Sequence, residues 1–349
     1  MSPKISVCIP AYNRHEVLVP LLDSVLSQDY DSFDVVICED NSPQRARIRE
    51  TVAFYQTRYP GRINYFENKE NLGYDANIRN LIARAEGEYC FFMGNDDLMR
   101  PKALATVAAA LGRHPNIGVV LRSYAAFDGA PENVVQTFRY FAEETFFEAG
   151  QATAATFYRR CVVIPGLVLH RAASLRFATE RFDGTLLYQL YLVANLLQEM
   201  NGISLPQILV LYRNGGVPDF GNSKKEKGNF MPGQQTPESS LHFVKGMLEI
   251  PAYVDVTRGS CITPAIFRDM CYYSYPLLSI QARQPFGVFV KYTFGLAKMG
   301  FWKSHMFWAY FFSILLLGAK RVDKLIVAIK ERRGATPAMG GISKGSAVK

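Results

Sequence analysis

Two adjacent carboxylates, Asp96 and Asp97, end the run Tyr-Cys-Phe-Phe-Met-Gly-Asn-Asp-Asp-Leu at residues 89–98, after a short apolar stretch that reads as a buried strand. Side by side, two carboxylates repel unless a proton or a hard cation comes between them, and Mg2+ or Mn2+ with a bound diphosphate is the usual solution. The position suits that chemistry, because open α/β sheets bind ligands beyond the carboxyl ends of their strands. The same pair could instead cap the helix expected from Pro101.

Three more units of strand followed by polar residues precede this one. Residues 4–9 read as a strand that ends in Pro10, Ala11, Tyr12, Asn13 and Arg14; residues 34–38 end in Glu39, Asp40, Asn41 and Ser42; residues 63–66 lead to Asn68, Asn71, Gly73 and Asp75. Between them Val17, Leu18, Leu21, Leu22, Val25 and Leu26 share one face of a helix, and Val107, Ala108 and Leu111 do the same after Pro101. Strands alternating with helices predict a parallel sheet whose functional loops gather on one edge. Each strand thus delivers its polar tip to a common rim.

The ordered segments Ser-Val-Cys-Ile-Pro-Ala-Tyr-Asn-Arg at 6–14, Glu-Asp-Asn-Ser at 39–42, Asn-Leu-Gly-Tyr-Asp-Ala-Asn at 71–77 and Gly-Asn-Asp-Asp at 94–97 resemble the signatures of family 2 glycosyltransferases with the GT-A fold. The resemblance covers residues 3–122 and weakens towards residue 213. It implies an α/β fold with a mostly parallel central sheet between helices. It also implies transfer of a sugar from a nucleotide-diphosphate donor to an acceptor hydroxyl, with inversion. By the same resemblance Tyr12 lies against the nucleobase, where an aromatic face can stack, and Asp40 accepts a hydrogen bond from the pyrimidine ring. Pro10, Ala11, Asn13, Asn71, Asp75 and Asn77 belong to the same donor-binding segments, and Gly73 allows close backbone approach. Asp96 falls near the ribose and Asp97 on the divalent metal, Mn2+ or Mg2+. Asn95 stands where many members carry a further acid.

Inverting transfer also needs a base for the acceptor proton. The family places it in the second half, ahead of a helix, and Asp183 before the helical stretch 186–200 is the candidate, with Glu180 as alternative. Asp183 could equally be only a helix cap. Many members carry an acidic pair a few residues later, where this chain has Tyr188 and Gln189, neither of them a base at neutral pH. Arg213, entering a glycine-rich loop, could hold the diphosphate through its planar fork. Residues 217–236, with Lys224, Lys225 and Lys227 among glycines and prolines, read as a loop able to close over the donor or as a plain surface loop.

At 349 residues and 49% hydrophobic, the chain can build a large core. Its six cysteines lack Cys-x-x-Cys spacing, which predicts a reducing compartment, and the first strand begins too early for a signal peptide. Five scattered histidines show no zinc-site spacing, and the Gly-Ile-Ser-Lys-Gly at 341–345 has no strand before it to make it a hydrolase elbow. From Ala282 onwards 12 basic residues face 2 acidic ones, against a net charge of +8 for the whole chain. The same stretch holds many aromatics and a run of 14 uncharged residues at 306–319, too short for the roughly 20 that cross a bilayer. It predicts helices lying on an anionic membrane surface, with packing on the catalytic part as the alternative.

The expected organisation is a nucleotide-sugar half at 1–122, an acceptor half at 123–236, a basic aromatic extension at 237–333 and a disordered tail at 334–349. The expected protein is cytoplasmic and peripheral on the inner face of the plasma membrane, acting on a glycan or lipid-linked acceptor such as an O-antigen or capsule precursor, with no nucleic-acid partner. A nucleotidyltransferase would share the sheet and acids but calls for a glycine-bearing phosphate loop, and 10–14 has none. A non-enzymatic membrane-binding module would need no carboxylate pair at a strand end.

Overall fold

The computed structural model describes residues 2–216, 219–332 and 342–343. Three strand-helix units open the chain: β1 (Ile5–Ala11), α1 (His15–Leu26), β2 (Phe33–Glu39), α2 (Arg45–Arg58), β3 (Ile63–Glu67) and α3 (Tyr74–Arg84), followed by β4 (Tyr89–Phe92). β1 lies between β2 and β4, β3 flanks β2, and all these pairings are parallel. β1, β2 and β4 are buried through nearly their whole length and mostly apolar, as strands covered on both faces must be.

Past β4 the sheet changes character. After β5 (Leu98–Met99) and α4 (Ala103–Arg113) come β6 (Ile117–Phe127), β7 (Val134–Phe138), β8 (Thr145–Phe147), α5 (Gln151–Tyr158), β9 (Val168–His170), α6 (Arg171–Arg176), α7 (Tyr188–Glu199) and β10 (Asn201–Arg213). β9 joins the two halves, antiparallel to both β4 and β6. β10 runs parallel to β6 and slips register between Ser204 and Ile208, where Pro206 can give no hydrogen bond to the ladder. Residue 122, expected as a boundary, falls inside β6, and one buried core runs through both halves.

The structure decides the local question at the paired carboxylates. β5 turns back against β10, so Asp96 and Asp97 lie in the β4–β5 turn. The N-cap of α4 is Lys102, with φ 63° and no side-chain cap, and neither aspartate serves it. α7 starts at Tyr188, two residues later than expected, because Leu186 has φ 64° and the turn before it is wound around another side chain described below.

Helices follow: α8 (Pro237–Arg258), α9 (Thr263–Tyr272), α10 (Tyr275–Gln281), α11 (Phe286–Lys298), α12 (His305–Leu317) and α13 (Ala319–Arg332). α8 starts on Thr236, whose hydroxyl accepts from the Ser239 N–H, and stops at left-handed Gly259. Phe289, Tyr292, Leu296, Phe301, Phe307, Phe311 and Ile314 from this extension are buried in the common core. Packing on the body therefore takes part of the aromatic surface. Phe286, Phe294, Trp302, Phe312, Leu316 and Leu317 remain exposed. Among the described residues no helix is long and apolar enough to cross a membrane. The expected tail falls outside the described residues except for β11 (Ile342–Ser343), which pairs with β7.

Candidate active site

The carboxyl ends of β1, β2 and β4 open into a cleft of about 340 Å³, walled on its far side by residues 162–165, the end of β10 and the loop that follows. Pro10, Tyr12, Asp40, Asn71, Gly73, Asn77, Asn95, Asp96, Asp97 and Arg213 line it, as expected. Ala11, Asn13, Asp75, Glu180 and Asp183 are not among its lining residues.

At the β2 end, two neighbouring acids divide the work. Glu39 faces the turn and binds the N–H groups of Asn41 and Ser42 and the Arg45 guanidinium, fixing the chain where Asn41 takes φ 55°. Asp40 is thereby presented to the cleft. Its Oδ1 accepts from Asn68 Nδ2 at 2.8 Å and the Leu72 N–H at 2.9 Å, and its Oδ2 accepts from the Gly73 N–H at 2.9 Å. Asn77 supports this from behind, accepting from Asn68 and donating to the Cys38 carbonyl. Burial pushes the Asp40 carboxyl up, against the pull of those donors. Tyr12 stands nearby, within hydrogen-bonding reach of Asn71.

At the β4 end, Asn95 donates to the carbonyls of Tyr12 and Asn13 and so locks the loop after β1 to the acidic turn. Asn13 acts through its backbone, in the left-handed region at φ 54°. Asp96 meets the Arg14 guanidinium at 2.5 Å, and Arg14 also reaches Asp219 at 3.3 Å. Asp97 is buried, and one of its oxygens accepts the Arg213 N–H at 2.8 Å. Burial and the neighbouring Asp96 push the Asp97 carboxyl up to about 8. The Arg213 side chain bonds the Asp96 carbonyl and lies over the Phe127 ring, so its backbone and guanidinium both frame the acidic turn.

Asp75 has a different task from the donor binding expected of it. Its carboxylate accepts four backbone N–H groups, from Gly184, Thr185, Leu186 and Tyr188, at 2.9–3.0 Å. It is the side chain around which the turn before α7 winds. Asp183, expected as the base, gives both oxygens to Arg79 at 2.7 and 3.0 Å, and Glu180 lies exposed 4.0 Å from the same guanidinium. Ala11 is packed inside β1. Gln189 bridges Tyr74 and the Val162 carbonyl at the cleft wall, using its amide where an acid could not donate.

Three charged cleft residues escaped the sequence reading as candidates: Arg14, Asp219 and Glu226. Arg14 was inside a recognised segment, and its pairing with Asp96 depends on a fold-level approach across 82 residues. Glu226 sits in the loop after β10. Its Oε1 accepts the Tyr74 N–H at 2.7 Å and its Oε2 accepts the Gly221 N–H at 2.9 Å.

Residues 6–178 match the sequence model described as Glycosyl transferase family 2. The chain belongs to glycosyltransferase family 2. This family 2 chain is 29% identical over 180 residues to the abequosyltransferase RfbV of Salmonella typhimurium, covering 51% of this chain and 54% of that one. It is 30% identical over 106 residues to the GalNAc(5)-diNAcBac-PP-undecaprenol beta-1,3-glucosyltransferase of Campylobacter jejuni, 30% and 33% of the two chains. These alignments span about half or less of the relatives' length. Among solved structures, S. aureus TarS 1–349 in complex with UDP-GlcNAc superposes with a TM-score of 0.55 at 17% identity over 98% of this chain and 99% of that one. The mannosyltransferase PcManGT of Pyrobaculum calidifontis, in complex with GDP-Man and Mn2+, gives 0.51 at 14% over 91% and 87%. The fold is thus the expected GT-A arrangement.

The family 2 site fits a divalent cation by the chemistry of its donors. Asp97 offers a buried carboxylate oxygen next to a second carboxylate, and a cation there would offset both the burial and the neighbouring charge that raise its carboxyl. Among the described residues no group of three or more His, Cys, Asp or Glu side chains could hold an ion. The remaining ligands would come from diphosphate oxygens and water, the habit of Mg2+ and Mn2+ sites.

Proposed function

We propose that the chain transfers a sugar from a nucleotide-diphosphate donor to an acceptor hydroxyl, with inversion. The observation that carries this reading is the convergence of Tyr12, Asp40, Asp96, Asp97 and Arg213 on one cleft at the carboxyl ends of β1, β2, β4 and β10. Tyr12 and Asp40 hold the nucleobase by stacking and hydrogen bonding. Asp97, with Asp96, would hold a Mn2+ or Mg2+ ion, which when bound neutralises the leaving diphosphate. Arg213 and Arg14 add positive charge at the same end, stabilising the departing nucleoside diphosphate. Asp183 lies outside the cleft and is held at two points by Arg79; for the acceptor proton we assign Asp219, which lines the cleft 3.3 Å from Arg14 and at 34% side-chain exposure is more open than Asp96 at 14%.

The acceptor we assign is a lipid-linked glycan precursor, supported by the undecaprenol-linked name of one relative and by the exposed apolar side chains of α11 and α12. Those side chains, among the basic residues of the C-terminal stretch, suit a peripheral position on the anionic inner face of the plasma membrane. The test is release of nucleoside diphosphate from UDP, GDP, CDP and dTDP sugars with Mn2+ present. Asp97→Asn should lower turnover by a factor on the order of 10² or more while the fold stays intact. Full activity of that variant, or of wild type in excess EDTA, would sink the assignment.

A further inference from the structure

The N-terminus of α3 carries three consecutive backbone N–H groups that are shared between two carboxylates. Leu72 and Gly73 donate to Asp40, and the next residue, Tyr74, donates to Glu226. This register sets the two acids side by side. A Cβ built on Gly73 would lie 2.8 Å from Glu226 Oε1, so the glycine is what lets the Glu226 carboxylate come this close. Glu226 is buried, lines the same cleft as Asp40 and Tyr12, and helps push the Asp40 carboxyl up. The nucleobase end of the cleft therefore offers two anionic acceptors where one would hold a single ring N–H.

The acceptor count sharpens the point. Three donors already occupy Asp40, leaving Oδ2 one lone pair; each Glu226 oxygen has one backbone donor and one lone pair left. Uracil and thymine carry one ring N–H between two carbonyls. If that N–H meets Asp40, a carbonyl oxygen is turned towards Glu226, and two unshared acceptors face each other at a desolvation cost. Guanine offers a ring N–H and an adjacent amino group, one for each carboxylate. Cytosine offers an amino group but no ring N–H, so with its amine on Glu226 the N3 lone pair would face Asp40, the same acceptor clash.

Resting on the donor cleft proposed above, we infer that Glu226 is a specificity-determining residue that selects a nucleotide sugar whose base bears a ring N–H beside an exocyclic amino group, guanine, over cytosine, uracil or thymine. Glu226 supplies the acceptor for that amine, and the loop carrying it is thereby seated by the correct donor.

The experiment is calorimetric binding of GDP, CDP, UDP and dTDP, each with Mn2+, to the full chain and to Glu226→Gln. For the wild type, GDP should bind more tightly than CDP, UDP and dTDP by about tenfold or more. In Glu226→Gln the new amide N–H can face a carbonyl, so the preference should shrink or reverse, with UDP or dTDP gaining. Equal or tighter binding of CDP, UDP or dTDP by the wild type overturns the inference while leaving the glycosyltransferase reading in place. A uniform loss for all four in Glu226→Gln also overturns it, showing a residue that only holds its loop. If none of the four binds the wild type, the donor cleft itself falls. The wild-type ranking stands as a test even if the variant does not fold.

Discussion

Asp183 and Arg79 form a two-point ion pair at 2.7 and 3.0 Å, with the Asp183 side chain only 5% exposed. Its motif-like position ahead of a helix was legible in the sequence, but the arginine that claims it lies 104 residues earlier on α3 and leaves no local trace. The same limit hid Glu226, whose partner Tyr74 lies 152 residues earlier. By contrast Tyr12, Asp40, Asp96 and Asp97 stand at strand ends, and a strand end fixes which rim a side chain serves without knowledge of its neighbours. Asp183→Asn should destabilise the fold by about 2–3 kcal/mol, because a half-buried guanidinium loses its counter-charge. Turnover of the folded fraction should stay within a few-fold of wild type. Urea unfolding and steady-state rates measured together decide this. A loss of turnover on the order of 10² with unchanged stability would restore Asp183 as the base.

Between elements, the connections that sequence periodicity leaves blank are made by single polar side chains. Strands β1 to β4 and the first helices were readable because a buried strand must be apolar and a surface helix must carry a stripe. The position of α7 was readable only to within two residues, since its start depends on the grip of Asp75 from α3. Asp75→Ala should leave four N–H groups without their acceptor and cost about 2–4 kcal/mol in urea denaturation, the partial solvation of the turn setting the lower figure. Asp75→Asn, which keeps an acceptor oxygen, should cost less.

The short helix α6 offers a pH test of the same kind. His170 caps it by accepting the Ala173 N–H on Nδ1 at 3.2 Å, and burial holds its imidazole below the ordinary 6.5. As pH falls through 6.5, the unfolded chain takes up a proton before the folded one does, so stability declines from there until the folded pKa is reached and is flat above 6.5. Urea midpoints from about pH 7 to about pH 5 should show this decline, and His170→Asn, which can still cap, should reduce it.

Across the whole molecule, the C-terminal helices are both core and surface. Composition announced an apolar, aromatic and basic extension, yet it could not divide the aromatics between two destinations, because burial on a neighbour and burial in a lipid interface demand the same residue types. Phe307 and Phe311 face the core while Phe312 and Leu316, one turn of the same helix, face out. Removing everything from Ala282 would therefore expose the buried set and is expected to cause aggregation. The discriminating change is Phe286→Ser, Phe312→Ser and Leu316→Ser together, all at exposed positions. The triple variant should keep its unfolding midpoint within about 1 kcal/mol of wild type yet sediment less with vesicles containing anionic phospholipid. Unchanged sedimentation would argue that this face serves something other than a membrane.

The chain entering α3 makes three attachments at once: Gly73 gives its N–H to Asp40, Tyr74 gives its own to Glu226 in the loop after β10, and Asp75 holds the turn ahead of α7. A grafted loop carrying residues 219–230 from a relative arrives without its mooring unless residues 72–75 come with it, and a grafted segment 123–236 fails in the same way at 184–188. Hybrids made for new donor or acceptor range should therefore be cut so that these three short segments share one parent.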